Sequence, residues 1–261
     1  MLLEPDIPFG TRGLALDLWR PPGSCAGTLV YAHGGGFLKG SRKEPAAAAL
    51  AARFGALGFA VAAVSYRLGV RLADFPRAER RAIRESVARG SAEGLTLARR
   101  LRGAAMLGAL DDLSEAVAFL RGEAPSRGLA PGLGILGVSA GGIAALSLAW
   151  PPDFRAGRVA QPDAVVAVAA AMAEPWRLAP TGPPALMLHG PADRVVGPEN
   201  AALAARMAEA AEAPLRLVVT GMPGHNAQLR ALLEGRDAAG RFWAEIAAEH
   251  VMGGFAGHAE A

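Results

Sequence analysis

The chain has 261 residues, 52% of them hydrophobic and 20% charged, which is enough apolar material for a sizeable core and too much for a disordered segment. A formal net charge of +3, with no basic stripe interleaved with aromatics, gives no reason to expect nucleic acid as a partner. The single cysteine, Cys25, rules out an internal disulfide.

The first residues, Met1-Leu2-Leu3-Glu4-Pro5-Asp6, carry acids and a proline where a signal peptide needs an apolar stretch. No run reaches the roughly 18 uninterrupted apolar residues of a membrane span. The expectation is a cytoplasmic protein that makes no membrane contact.

Residues 13–19 read as an antiparallel edge strand. The runs 28–31, 59–65, 133–138, 164–169, 185–189 and 215–220 follow, each bounded by Gly or Pro and each nearly continuous in apolar character. Continuous rather than alternating apolarity is what a strand covered on both faces needs. Between them, residues 45–57, 110–121, 140–150, 198–213 and 227–250 have helical spacing. Pro198 suits a first turn, where a missing N–H costs nothing, and Glu199 complements the helix dipole. Alternation of this kind predicts one α/β domain over residues 1–261, with a mostly parallel sheet and helices on both faces.

Residues 71–107 break the rhythm with nine arginines between Arg71 and Arg102. They read as one or two amphipathic helices above the carboxyl edge of the sheet, either a lid or a solvated surface excursion. Residues 253–261, small and Gly-rich, read as a mobile tail.

Gly137-Val138-Ser139-Ala140-Gly141 closes one strand and opens a helix. In that context the pattern is a sharp turn that lifts a serine hydroxyl above the sheet, and Ser139 is the candidate nucleophile. After the 28–31 strand comes Tyr31-Ala32-His33-Gly34-Gly35-Gly36-Phe37. Its glycines let backbone N–H groups converge, as an acyl-transfer enzyme needs where the oxyanion forms. Gly35 and Gly36, with Ala140, are assigned to that hole, and His33 and Gly34 to ordering the loop. The following Lys-Gly-Ser does not fit the spacing of a phosphate-binding loop.

A nucleophilic serine needs a base, and the base a carboxylate to orient it. His225 in Gly224-His225-Asn226 and Asp193 in His189-Gly190-Pro191-Ala192-Asp193 both follow strands at the same edge as Ser139. Of the five histidines, His33 belongs to the glycine loop, His189 ends a strand, and His250 and His258 lie in the C-terminal segment. Glu199 is the weaker carboxylate candidate because it sits inside a helix.

Taken together, His-Gly-Gly-Gly-Phe, Gly-x-Ser-x-Gly-Gly, His-Gly-x-x-Asp-x-x-Val and Gly-His-Asn, in this order, resemble the α/β-hydrolase superfamily. The similarity is strongest to hormone-sensitive-lipase-like carboxylesterases and small acetyl- and feruloyl-esterase-like enzymes. Ser65-Tyr66-Arg67-Leu68, Phe75-Pro76 and Leu110-Asp111-Asp112 resemble that group too. The resemblance implies a carboxylesterase acting on small-molecule esters of small to medium acyl or alcohol groups, through an acyl-enzyme and with no metal or organic cofactor. A peptidase or amidase of the prolyl-oligopeptidase type, and a non-catalytic binding member of the fold, remain alternatives. Two departures bear on the pocket: residues 1–32 are short for the N-terminal cap usual in that group, and the arginine-rich insertion separates Phe75-Pro76 from the helix before the serine. If the insertion replaces the cap, Phe37, Leu72, Phe75 and Met106 are pocket candidates, although each also reads as ordinary core. The arginines suggest room for anionic groups near the mouth. A homodimer through an edge strand or the last helix is compatible with the sequence.

Overall fold

The structure, a computed structural model, describes residues 1–259. Eight strands form one sheet: β1 (Leu2–Phe9), β2 (Leu14–Arg20), β3 (Gly27–Ala32), β4 (Phe59–Val64), β5 (Leu133–Val138), β6 (Ala164–Val168), β7 (Ala185–His189) and β8 (Leu215–Val219). Their order is β1-β2-β4-β3-β5-β6-β7-β8. Every pairing from β4 to β8 is parallel, and β2 joins β4 antiparallel. This is the α/β-hydrolase fold.

The apolar runs explain the centre of the sheet. β3, β4, β6 and β7 are buried at every position, because helices cover both faces. Val30 and Ala32 face α3 (Ala104–Glu123), α4 (Ala140–Ala149) and α5 (Pro198–Ala210) in one apolar cluster. Leu29 and Tyr31, pointing the other way along the pleat, join α1 (Pro45–Gly55), α6 (Ala227–Glu234) and α7 (Trp243–Ala259) in a second. Among the described residues no helix is long and apolar enough to cross a membrane.

Four sequence expectations need correction. The 13–19 run is not the edge, because β1 pairs outside β2 in antiparallel fashion. Pro5 and Pro8 conceal β1 in the sequence, yet an edge strand tolerates prolines whose missing N–H faces outward. The register shifts between Glu4 and Ile7, and there Asp6 takes φ +57° with its N–H on Asp17 Oδ1 at 2.8 Å. The helix expected over 110–121 begins at Ala104, inside the arginine-rich insertion.

The single helix expected over 227–250 is two. α6 stops at Gly235, where a Cβ would press on the Ala231 carbonyl oxygen at 2.6 Å. A turn capped by Asp237 Oδ1, which accepts from the N–H groups of Ala239 and Arg241, then reverses the chain into α7. The expected tail from 253 is instead helical through Ala259, and residues 260–261 lie outside the described residues. Gly254 is small so that the helix can approach the sheet: a Cβ there would lie 2.5 Å from the Asp163 carbonyl oxygen.

The insertion contains a short turn at Leu72–Asp74, helix α2 (Arg77–Ala92) and a second turn at Arg99–Leu101. It is fixed to the body at several points. Arg155 bridges Glu79 of α2 (2.9 Å) and Asp111 of α3 (2.7 Å). Ser86 donates to buried Glu174, and Asn200 Oδ1 accepts from the N–H groups of Thr96 (2.9 Å) and Leu97 (3.0 Å).

Asp112 on α3 is fully buried and accepts from Arg67 N–H (2.7 Å) and Nε (2.9 Å), tying the loop after β4 to the helix. Burial pushes its carboxyl above the usual range despite Arg67 and, at 3.4 Å, Arg12, so the charge depends on those partners, of which Arg67 makes the shorter bonds. Arg67→Ala is expected to lower the unfolding free energy by about 2 kcal/mol, the scale of a lost hydrogen bond to a buried charge. Urea unfolding measures it, and a change within about 0.5 kcal/mol, that of an ordinary surface substitution, would dismiss this anchor.

Candidate active site

Ser139 sits between β5 and α4 with φ +53° and ψ −117°, a backbone conformation that costs about 1–3 kcal/mol. The turn is pinned on both sides: Ser139 N–H donates to Val168 O of β6 (2.8 Å), and Ser139 O accepts from Ile143 N–H (2.9 Å). A side chain on Gly141 would clash with the carbonyl oxygens of Ala32 and His33. The helix therefore reaches the end of β3 only because residue 141 has no Cβ.

Ser139 Oγ lies 2.9 Å from His225 Nε2, and His225 Nδ1 lies 2.7 Å from Asp193 Oδ2. With Nδ1–H donating to the carboxylate, Nε2 carries a lone pair that faces the serine hydroxyl. Asp193 is buried, and its other oxygen accepts from the N–H groups of Val195 (2.8 Å) and Val196 (2.9 Å). The carboxylate is thus held in one orientation by its own loop. The structure brings Ser139, His225 and Asp193 together and leaves Glu199 apart, bonded to Thr96 Oγ1 at 2.5 Å.

The glycine loop lies against the serine: a Cβ on Gly34 would sit 3.5 Å from Ser139 Cβ. Gly35 and Gly36 have φ of +110° and +66°. Among the described residues, neither of their N–H groups donates to another backbone carbonyl. Ala140 opens α4, so its N–H has no acceptor within the helix. His33 is buried beneath the loop, bonded through Nδ1 to Gly34 O (2.7 Å) and stacked on Tyr66 at 4.2 Å. Tyr66 donates to His33 O (2.7 Å), fixing the loop from below.

His189 does not approach the serine; its Nε2–H donates to Val196 O at 2.9 Å and steadies the Asp193 loop. His250 lies buried in α7, away from this edge.

Two supports escaped sequence reasoning. Gln228, fully buried, donates to Met222 O (2.7 Å) and Gly224 O (2.8 Å) and accepts from Thr220 (2.5 Å), clamping the His225 loop. Tyr31 donates to Glu44 at 2.7 Å. Nothing in the local pattern distinguishes Gln228 from an exposed helix glutamine.

Beside Ser139 opens a cavity of about 790 Å³, walled by the glycine loop and by Leu38, Leu101, Val195 and Leu229. Among the described residues none of Phe37, Leu72, Phe75 and Met106 lines it. Phe37, Phe75 and Met106 are core, and Leu72 faces a separate groove against α2. The insertion reaches the cavity only through its second turn, with Arg100 and Leu101.

No family model matches the chain, and no curated protein matches it. Solved structures do. An esterase from the Planctomycetes species Thermogutta terrifontis superposes with a TM-score of 0.59 at 20% identity, over 82% of this chain and 79% of that one. Its propionate-bound form gives 0.60 at 20% identity, over 82% and 80%. The esterase 2 of that organism phosphorylated by paraoxon gives 0.62 at 19% identity, over 91% and 86%. At these identities the likeness is one of fold.

Burial pushes the His33 imidazole below its usual value of 6.5. As pH falls through the ordinary histidine range the unfolded chain takes up a proton that folded His33 refuses, so this group erodes stability on the acid side. In a histidine NMR titration, His33 is expected to titrate below 6.5. A resonance titrating at or above 6.5 would contradict the loop-ordering geometry.

Proposed function

We propose that the chain is a serine carboxylesterase cleaving esters of small to medium acyl or alcohol groups, with Ser139 as nucleophile, His225 as base and Asp193 as the orienting carboxylate. The observation that carries the reading is the continuous series Ser139–His225–Asp193, at 2.9 and 2.7 Å, on a serine held at positive φ.

In this reading Ser139 Oγ bonds to the ester carbonyl carbon while His225 Nε2 takes its proton. The carbonyl oxygen becomes an oxyanion facing the N–H groups of Gly35, Gly36 and Ala140. Collapse of the intermediate breaks the bond to the alcohol oxygen, which leaves with the proton from His225. Water then attacks the acyl-enzyme, giving its proton to His225, and release of the acid returns that proton to Ser139. No step requires a metal or an organic cofactor.

Support for an ester, and for short acyl groups, comes from the neighbours: Thermogutta esterase structures hold propionate and butyrate, and the cavity here is of a size for a small ligand. The insertion is read as a fixed wall of the pocket, tied down through Arg155 and Asn200. A cytoplasmic location and a homodimer belong to the same proposal.

Hydrolysis of 4-nitrophenyl esters across acyl lengths tests it. Wild-type protein is expected to prefer short chains, Ser139→Ala to lose at least about 10³-fold in kcat, and Asp193→Asn about 10³–10⁴-fold with little change in KM. A folded wild-type protein that cleaves none of them and is not labelled by paraoxon, or a fully active Ser139→Ala, would end the reading.

A further inference from the structure

Of the nine arginines between Arg71 and Arg102, most are used or directed elsewhere. Arg80 bonds to Phe75 O (2.8 Å) and Ala73 O (2.7 Å). Arg81 and Arg89 pair along α2 with Glu85 and Glu93. Arg102 is buried against Val87 O and Ser91, and Arg84 and Arg99 face the separate groove. Arg100 alone of the nine lines the cavity that holds Ser139, and Lys39 from the glycine loop lines it too.

Neither of these cationic side chains has a hydrogen-bond or ion-pair partner among the described residues. Their neighbours do. Arg42 is held by Asp6, Asp17 and Ser65, and Lys43 by Asp6. The cavity's one carboxylate outside the triad, Glu44, already accepts the Tyr31 phenol. Both cations also stand on the side of the glycine loop. Lys39 N–H donates to Gly35 O (3.2 Å), and Leu101, next to Arg100, supplies the heavy atom nearest to where a Cβ on Gly36 would be, at 3.9 Å.

We propose that the substrate is an ester carrying a second, free carboxylate a few carbons from the scissile carbonyl, recognised by Arg100 and Lys39. This rests on the esterase reading of the same site. The two exposed, unpaired cations give the rim of an apolar cavity a positive potential, and the guanidinium fork takes a carboxylate in two parallel bonds where the lysine acts as a point charge. The ester carbonyl then lies between Ser139 and the glycine loop while the carboxylate reaches the wall formed by Arg100 and Leu101.

The test compares 4-nitrophenyl hemiglutarate with its neutral methyl ester. In wild-type protein kcat/KM is expected to favour the hemiglutarate by about tenfold, the gain residing in KM, and to lose most of that preference between low and high salt. Arg100→Gln and Lys39→Gln are each expected to reduce the charged-to-neutral ratio about three- to fivefold, and the double variant to abolish it. Titration of Ser139→Ala protein with both compounds reads binding without turnover, so the cation pair is tested whether or not the ester is cleaved. Tighter binding of the hemiglutarate that disappears in the Arg100→Gln background supports the proposal even if hydrolysis fails. Equal affinity for both compounds, or a ratio that neither substitution moves, overturns it and leaves the esterase reading standing on the neutral ester.

Discussion

At Ser139 the chain adopts a backbone conformation that few residues tolerate, and most of the site is arranged by what it takes to hold it there. The strain of about 1–3 kcal/mol is sustained because both flanks are immovable: β5 is hydrogen-bonded on each side within the sheet, and all ten residues of α4 are buried. Rotating the serine back to an ordinary conformation would drag α4 out of that packing, which costs more than the strain. The same tight crossing places Gly141 against Ala32 and His33. The turn that raises the hydroxyl therefore also fixes where the glycine loop begins, so Ser139 and the glycine loop are positioned by one contact.

The remaining groups are hung from strands that run in the same direction. Loops after β3, β5, β7 and β8 all emerge at the carboxyl edge of a parallel sheet, which is why residues far apart in sequence can meet there. Strand direction alone brings them only into the neighbourhood. Final placement comes from polar groups bonded within or between these loops: Val195 and Val196 N–H on Asp193, His189 on Val196 O, Gln228 on the carbonyls ahead of His225, and Tyr66, from the chain after β4, on His33 O. Most of these bonds close within one short segment, and the Tyr66 bond ties the glycine loop to the chain after β4. Such local closure keeps the geometry stiff without a large enclosing domain.

The sequence was informative where a residue type is forced by a steric or solvation requirement. Central strands declare themselves because both faces must be apolar, and the Gly-x-Ser-x-Gly turn because any Cβ at 141 collides with backbone. It was uninformative where a signal has two physical readings. Prolines in β1 look like a break but suit an edge, and Gly254 looks like part of a flexible tail but permits close packing of α7 on the sheet. Residues 227–250 carry helical spacing throughout, and only the Asp237–Arg241 turn, whose residues are unremarkable singly, splits them. Gln228 shows the limit for the site: its role depends on which carbonyls the folded loop turns toward it, and no local pattern encodes that.

The pocket was the least legible part, for a related reason. Ser139, His225 and Asp193 come from loops whose positions the sheet dictates, whereas the walls come from Leu38, Leu101, Val195 and Leu229, single residues contributed by four unrelated stretches. Phe37 and Met106 are pocket candidates if the insertion replaces a cap, yet both turn into the core. Leu38, the next residue along, is 64% exposed because Phe37 takes φ +63° and the chain reverses there. A one-residue difference in facing thus separates core from pocket. The same holds for the insertion, where Arg99 and Arg100 point to different cavities. The placement of Ser139, His225 and Asp193 by the sheet and the lining of the pocket by individual side-chain directions are therefore separable in this molecule. The walls can change without disturbing the strained turn on which the reacting groups depend.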